Sequence, residues 1–129
     1  MSETCYRALV VDDNAAHRQL FFAILSSLGL DVDLAADGLE AVAAARSADY
    51  EFILMDVSMP NLDGFLATQL IREHEVKRGH RSHIIMVTSH GAPSDFQRSQ
   101  HVGADGHVTK PVDIAGLMAA IEGRYLSAA

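Results

Sequence analysis

Four short apolar runs in this chain each end in a polar residue of a type that binds phosphate or a divalent metal. If the runs are parallel strands of one sheet, their carboxyl ends share one edge, and ligands of open α/β sheets bind along that edge. Three carboxylates, a hydroxyl and an ammonium group would then meet at one point. The runs and the residues that follow them are 8–11 with Asp12 and Asp13, 52–55 with Asp56, 84–87 with Thr88, and 107–109 with Lys110.

Strand-like and helix-like patterns alternate along the whole chain, which predicts five β-then-α units. Asn14 is suited to cap a first helix that Gly29 ends, and Asp37 with Glu40 three residues later is typical of a helix start. Repeated units of this kind predict a parallel sheet with helices on both faces. The other predicted elements are a half-exposed strand at 31–34, a strand at Phe52–Asp56, a helix that begins at Pro93 and stops before Gly103, a short strand around Val108, and a last helix capped by Asp113.

The segment after the third strand is interpreted as a loop, a helix and a charged connector. Pro, Asn and Asp-Gly signals predict the loop at 57–64. We expect Leu66, Leu70 and Ile71 to face inward from the helix that follows. The segment 72–83 is interpreted as a solvated connector, because the spacing of its histidines matches no zinc site. These histidines are His74, His80 and His83.

The first helix carries two adjacent aromatic residues. Phe21 and Phe22 are expected to pack in the core with Leu25, or one of them to be exposed on a surface where a partner docks. His17 and His101 also fall on predicted helices, and the sequence assigns them no special role.

Size and composition favour a single compact domain. The chain has 129 residues, of which 49% are apolar and 21% charged, so it is long enough to bury a core. No apolar run approaches the roughly 18 residues that span a bilayer, and the first residues lack the features of a signal peptide. The single cysteine, Cys5, fits a reducing cytoplasm, and the net charge of −7 argues against direct binding to nucleic acid.

The three aspartates need a partner of opposite charge if they meet. Carboxylates about 5 Å apart repel by roughly 3 kcal/mol per pair at an effective dielectric constant near 20. Asp12, Asp13 and Asp56 would be strained unless one were protonated or a cation bound, and Mg²⁺ suits such a site because it retains water and recruits phosphate oxygens. Each aspartate alone is interpreted as a turn or cap residue. Together with Thr88 and Lys110, the set favours a site for a phosphoryl group.

Four segments carry a resemblance to a known family: VVDDN at 10–14, LMDVSMPNLDG at 54–64, MVTS at 86–89 and GADGHVTKP at 103–111. In this order and spacing they resemble the response-regulator receiver domain of two-component signalling, from about Tyr6 to Leu126. The resemblance implies a single receiver domain over 1–129. Its fold would be a doubly wound, flavodoxin-like sheet of five parallel strands in the order 2-1-3-4-5, with five helices.

The resemblance also implies a role for each residue of the site. Asp56 would accept a phosphoryl group from the phosphohistidine of a sensor kinase or a phosphotransfer protein, and Lys110 would neutralise it. Asp13 and Asp56 would bind Mg²⁺ directly, together with the backbone carbonyl of Ser58. Asp12 would act through a bound water.

The same resemblance implies a switch and two positions that tune its lifetime. Thr88 would move toward the phosphoryl group and His107 would turn inward, which alters a target-binding face formed by the fourth helix, fifth strand and fifth helix. Histidine changes charge between about pH 5 and 8, so we expect the switch to depend on pH; the alternative is a static strand residue. Ser58 and His90 would tune autodephosphorylation or lie as solvated loop residues. The peptide before Pro111 would be cis.

The expected activity is that of a signalling switch that phosphorylates itself and loses the phosphoryl group slowly. No output module follows the last predicted helix, so we expect a stand-alone receiver that acts through protein contact. A receiver cut from a hybrid histidine kinase or a multidomain regulator is the alternative. A Mg²⁺-dependent phosphatase with an aspartate nucleophile is a distant alternative, because such enzymes normally have a second aspartate where Ser58 stands. A flavodoxin-like electron carrier would need a Ser/Thr/Gly-rich phosphate loop in place of Asp12 and Asp13.

Overall fold

A five-stranded sheet lies at the centre of the molecule, and all of its paired strands run parallel. The computed structural model describes residues 6–57, 59, 61–88, 93–109, 115 and 117, with the backbone alone for 93–96. The strand order is β2-β1-β3-β4-β5, which confirms the expected topology. The elements are β1 Arg7–Val11, α1 Ala15–Ser27, β2 Asp31–Ala35, α2 Gly38–Ser47, β3 Phe52–Asp56, α3 Gly64–Arg78, β4 His83–Thr88, α4 Pro93–His101 and β5 Gly106–Thr109.

The predicted fifth helix is described only in part. Ala115 and Leu117 are helical, and Leu117 is buried against the sheet. Its predicted cap, Asp113, lies outside the described residues, as does Cys5. None of the helices in the described part of the chain has the length and apolar composition needed to cross a membrane.

The first two helices begin where the sequence predicted, because their caps satisfy amide groups that have no partner within the helix. The side chain of Asn14 accepts a hydrogen bond from the amide of His17 at 3.0 Å, and that of Asp37 accepts one from the amide of Glu40 at 2.8 Å. Gly29 follows α1 with a φ of +88°, a left-handed conformation that favours glycine.

Both faces of the sheet are covered, so β1, β3 and β4 are buried over almost their whole length. Helices α2 and α3 pack on one face, and α1 packs on the other together with Leu117. Phe21 belongs to this core, whereas Phe22 is 40% exposed. The strand residues that face α2 and α3 are Leu9, Val11, Ile53, Met55, Ile84 and Met86, and those that face α1 are Ala8, Val10, Phe52, Leu54, Ile85 and Val87.

Helix α3 turns a different face to the core from the one predicted. Leu66 was expected inward and is 43% exposed, and Leu70 is half-buried, whereas Ile71 is fully buried as expected. The buried face of α3 includes polar residues, so a prediction from hydropathy alone assigns the wrong face of this helix to the core. The buried residues of α3 are Gly64, Phe65, Ala67, Thr68, Ile71 and Glu75.

The predicted connector at 72–83 is wrong for most of its length, because α3 continues through it. His74 lies on α3. The Nε2 atom of His80 is 2.7 Å from the backbone carbonyl oxygen of Tyr50, and His83 is the first residue of β4. All three histidines therefore occupy defined places in the fold.

Helix α3 extends this far because two of its charged residues pair inside the protein. The Arg72 side chain is 12% exposed and contacts both Glu75 and Asp105 at 2.7 Å. Its guanidinium also donates to the backbone carbonyls of Ser82 at 2.8 Å and Gly103 at 2.9 Å. Hydrogen bonds on all sides offset the cost of burying this charge. The network joins α3 to the start of β4 and to the turn between α4 and β5.

Asp105 makes this network sensitive to acid. Burial raises the pKa of Asp105, but hydrogen bonds from the Ile84 amide and Arg81, together with the charges of Arg72 and Arg81, outweigh it and hold the pKa below its usual value. A depressed pKa stabilises the fold above the unfolded value of about 3.9, and this contribution is lost as the pH falls through the lower folded value.

We therefore predict that the free energy of unfolding falls less steeply with decreasing pH in Asp105→Asn than in the wild type. At neutral pH the variant should lose about 1–3 kcal/mol in the free energy of unfolding, because its charged hydrogen bonds are weakened. As the pH falls from about 4 through the lower folded pKa of Asp105, the variant and the wild type should converge. Urea unfolding across this pH range measures the effect, with Asp31→Asn at an exposed position as the matched control. An acid limb equally steep in Asp105→Asn and the wild type would contradict the prediction.

Candidate functional site: an aspartate cluster at the carboxyl edge of the sheet

The carboxyl ends of β1 and β3 bring three aspartates together. These strands are neighbours with Val11 aligned to Met55, so Asp12 and Asp56 occupy adjacent places at their ends. Carboxylate oxygens of Asp12, Asp13 and Asp56 all lie within 4.8 Å of one another. Asp12 and Asp56 are 2% and 3% exposed, while Asp13 is exposed to solvent. At this separation the three charges repel one another.

Asp12 is held in place from two sides. One carboxylate oxygen accepts a hydrogen bond from the amide of Asn14 at 2.9 Å, and the other lies 3.3 Å from Nδ1 of His17. The guanidinium of Arg18 donates to the backbone carbonyl of Asp12 at 2.7 Å. Sequence reasoning missed His17 and Arg18. Their position in the first turn of a helix that starts at the site edge was the available signal.

The start of α3 packs closely against the backbone of Asp56. The amide of Val57 donates to the Val87 carbonyl at 2.8 Å, which extends the β3–β4 pairing just beyond Asp56. The amide of Gly64 donates to the Val57 carbonyl at 2.9 Å. A Cβ atom at Gly64 would lie 2.2 Å from the Asp56 carbonyl oxygen, so only glycine permits this approach.

The loop that follows Asp56 is anchored to the start of α2. Asn61 has a left-handed φ of 69°, and its side chain donates to Asp37 at 2.7 Å. Bonds from the Glu40 amide and then from Asn61 hold the pKa of Asp37 below its usual value. A Cβ atom at Gly38 would lie 2.2 Å from the Leu62 carbonyl oxygen, so this contact also requires glycine.

Thr88 is the last residue of β4 and is 3% exposed. It directly follows Val87, which is aligned with Asp56 on β3, and its own partner on β5 is Thr109. The hydroxyl-bearing residue therefore ends the strand beside the aspartate strand, as the sequence predicted.

His107 lies on β5, aligned with Met86 of β4, and is half-buried. Its Nδ1 atom is 3.0 Å from the hydroxyl oxygen of Ser99 on α4. Ser99 is 2% exposed. Sequence reasoning missed this contact, since nothing in the local pattern of α4 relates Ser99 to β5.

Four further predicted site residues lie outside the described residues, and their roles stay predictions. They are Ser58, His90, Lys110 and Pro111.

The donor set fits a hard divalent cation. Mg²⁺ takes oxygen ligands and is commonly bound by one or two carboxylates with water and phosphate oxygens completing its shell. Asp12, Asp13 and Asp56 supply such oxygens, two of them from buried side chains. Within the described ranges this is the one group of three or more carboxylate, imidazole or thiol side chains close enough to share an ion.

Comparisons with known proteins agree with this geometry. A family model described as the response regulator receiver domain matches residues 8–122. The chain is similar to the chemotaxis protein CheY of Halobacterium salinarum, with 36% identity over 115 residues that cover 89% of this chain and 92% of that protein. It is also similar to the probable histidine kinase 2 of Oryza sativa subsp. indica, with 36% identity over 129 residues. That match covers 89% of this chain, and the chain spans only 12% of the kinase's length.

A solved structure shows the same fold. The receiver domain of a sensor histidine kinase from Pseudomonas aeruginosa superposes with a TM-score of 0.82 at 35% sequence identity. The match covers 93% of this chain and 97% of that chain. That structure has a magnesium ion coordinated in its active-site cleft.

The close approach of Gly64 to Asp56 gives a testable prediction. Gly64→Ala should lose about 1–3 kcal/mol in the free energy of unfolding, because a Cβ atom there overlaps the Asp56 carbonyl oxygen. The NMR signals of the Asp56 and Val57 amides should move with it.

Gly29→Ala is the matched control for this variant. A Cβ atom at Gly29 meets no atom within 4 Å, so the cost there comes from the positive φ alone, roughly 1–2 kcal/mol, and the site signals should stay in place. A Gly64→Ala variant with unchanged stability and unmoved site signals would show that the approach does not support Asp56.

Proposed function

This chain belongs to the response-regulator receiver family, and on that premise we propose that Asp56 is its phosphoacceptor. A receiver domain takes part in two-component signalling, and the site must therefore hold a nucleophile that can carry a phosphoryl group. The observation that supports Asp56 is its place: a buried carboxylate at the end of a central strand, within 4.8 Å of two further carboxylates.

In the proposed reaction, a carboxylate oxygen of Asp56 attacks the phosphorus of a phosphohistidine on a partner protein. The P–N bond breaks, the imidazole leaves with the electron pair and takes up a proton, and an acyl phosphate forms on Asp56. Phosphoryl transfer asks little covalent work of the protein beyond the nucleophile, so positioning and charge neutralisation supply most of the catalysis.

We assign each carboxylate a role in Mg²⁺ binding from its exposure to solvent and its existing contacts. Asp13 is exposed and Asp56 is the nucleophile, and both would bind Mg²⁺ directly with the backbone carbonyl of Ser58. Asp12 already contacts the Asn14 amide and His17, which suits a role through a bound water. The bound ion would gather the nucleophile and the phosphoryl oxygens and neutralise their charge.

The remaining site residues complete the switch. Lys110 would pair with the phosphoryl oxygens, held by a cis peptide to Pro111. Thr88 would turn its hydroxyl toward the phosphoryl group, and His107 would change position in response. Ser58 and His90 would flank the entrance and tune the rate at which water removes the phosphoryl group.

The partners follow from the reaction. The donor would be a sensor histidine kinase or a histidine phosphotransfer protein, and the target would bind the face formed by α4, β5 and the helix that contains Leu117. The single receiver domain over 1–129 either acts by itself or belongs to a longer hybrid kinase; similarity to both a CheY protein and a histidine kinase supports each alternative. The chain would release its phosphoryl group slowly and would not turn over substrates.

The proposal predicts Mg²⁺-dependent self-phosphorylation by acetyl phosphate. The wild type should gain one phosphoryl group, observed by intact-protein mass spectrometry, and chelation of Mg²⁺ should abolish the gain. Asp56→Asn should stay unmodified, because the nucleophile is gone.

Asp63→Asn is the matched control for this experiment. It changes a nearby aspartate but keeps a good helix cap on α3, so its labelling should equal that of the wild type. Labelling of Asp56→Asn to the wild-type extent would refute the assignment. Continuous release of phosphate at a rate typical of phosphatases would favour the alternative of an aspartyl-nucleophile enzyme.

A further inference from the structure

Two consecutive side chains hold α4 against the rest of the fold. The guanidinium carbon of Arg98 lies 4.4 Å from the centre of the Phe65 ring on α3, which is a cation–π contact. The hydroxyl oxygen of Ser99 lies 3.0 Å from Nδ1 of His107 on β5. Arg98 is exposed, whereas Ser99 is 2% exposed, so the contact to His107 is the less exposed of the two.

His107 and Thr88 lie on the same face of the sheet. In the parallel register Met86 is aligned with His107 and Thr88 with Thr109. Alternate residues of a strand point to the same side, so Thr88 shares its side with Met86, and His107 shares that side because it is aligned with Met86. Met86 is fully buried in the cluster on the α2 and α3 side. Thr88 and His107 therefore lie on neighbouring strands on the same side of the sheet, two residues apart in register.

The partner of the His107 ring, Ser99, lies toward the end of the sheet opposite to Thr88. Helix α4 joins two parallel strands, so it runs back from the carboxyl edge, and Ser99 lies near its far end. The ring also borders a cleft of about 70 Å³ whose other walls include Gln100, Ala104 and Gly106. This space lies at the start of β5, opposite to the edge where Thr88 ends β4. The ring thus has a partner at the far end of α4 and open space beside it.

We propose that Ser99 is a positioning residue of the switch: its hydrogen bond to His107 holds the ring on the α4 side, and this bond breaks when the ring moves toward Thr88. The proposal rests on the proposed function, because it concerns the response of His107 to phosphorylation of Asp56. Ser99 then biases the balance between two positions of the ring toward the one seen here. The same bond ties the position of α4 to that of His107, so α4 keeps only the Arg98–Phe65 contact of these two when the ring moves.

The test is a double-mutant cycle of Ser99→Ala and His107→Phe, read out by Mg²⁺-dependent binding of beryllofluoride. Loss of the Ser99 hydroxyl removes one hydrogen bond from the resting position, so Ser99→Ala should bind beryllofluoride roughly three- to tenfold more tightly than the wild type. In the His107→Phe background Ser99→Ala should change nothing, because the ring nitrogen that it holds is absent.

The ring itself gives a second readout that a purely structural role would not move. The ¹⁵N shift of His107 Nδ1 should change on Ser99→Ala, and Ser99→Thr, which keeps the hydroxyl, should restore it. Alanine is favourable in a helix and smaller than serine, so Ser99→Ala is expected to fold.

Each outcome separates this proposal from the proposed function. Wild type that fails to bind beryllofluoride, or Asp56→Asn that binds it equally well, would overturn the assignment of Asp56. Normal binding by the wild type with unchanged or weaker binding by Ser99→Ala would overturn the role of Ser99 alone. The same tightening by Ser99→Ala in the His107→Phe background as in the wild type would also overturn it, since the effect would then not pass through the ring.

Discussion

The repulsion among three carboxylates is the constraint on which the rest of this structure depends. Asp12, Asp13 and Asp56 come within 4.8 Å of one another only because β1 and β3 are paired in register, with two of the three side chains buried. Asp12 is fixed by the Asn14 amide, and Asp56 rests on the start of α3 where only glycine fits. Keeping like charges together lowers the stability of the fold, as is common at functional sites. In the proposed function, a divalent cation would offset this repulsion and so allow a phosphoryl group to approach.

The contacts along β5 differ in how firmly they hold the strand. Just before the strand begins, Arg72 binds the Gly103 carbonyl and the Asp105 carboxylate, both within a network of charged hydrogen bonds. Further along the strand, His107 contacts the uncharged hydroxyl of Ser99 beside a small cleft. Hydrogen bonds between charged groups are about twice as strong as those between neutral ones. This difference agrees with the proposal that the His107 ring changes position while the start of β5 stays fixed.

Much of this fold could be predicted from the sequence, because strands and caps leave local signals. Asp12, Asp56 and Thr88 at the strand ends, the cap at Asn14 and the glycine after α1 all lie where the pattern placed them. The phase of α3 was wrong, since its inward face includes Thr68 and Glu75, and the helix itself was cut short at Arg72. A charged residue such as Arg72 predicts a solvated surface unless its partner is known. The partner here, Asp105, is distant from Arg72 in the sequence. The contacts of His17 with Asp12 and of Ser99 with His107 depend in the same way on the tertiary fold.

Stability in the presence and absence of Mg²⁺ tests most directly whether the carboxylates repel one another and a cation relieves them. Asp13→Asn is the most suitable variant, because Asp13 is the exposed member of the cluster and its substitution removes a charge without altering a buried side chain. Without Mg²⁺ the variant should have a higher free energy of unfolding than the wild type, since one of three like charges is removed. Saturating Mg²⁺ should stabilise the wild type more than the variant, because binding to the folded state raises its stability by mass action. A variant less stable than the wild type in metal-free buffer, or an equal gain from Mg²⁺ in both proteins, would contradict the account.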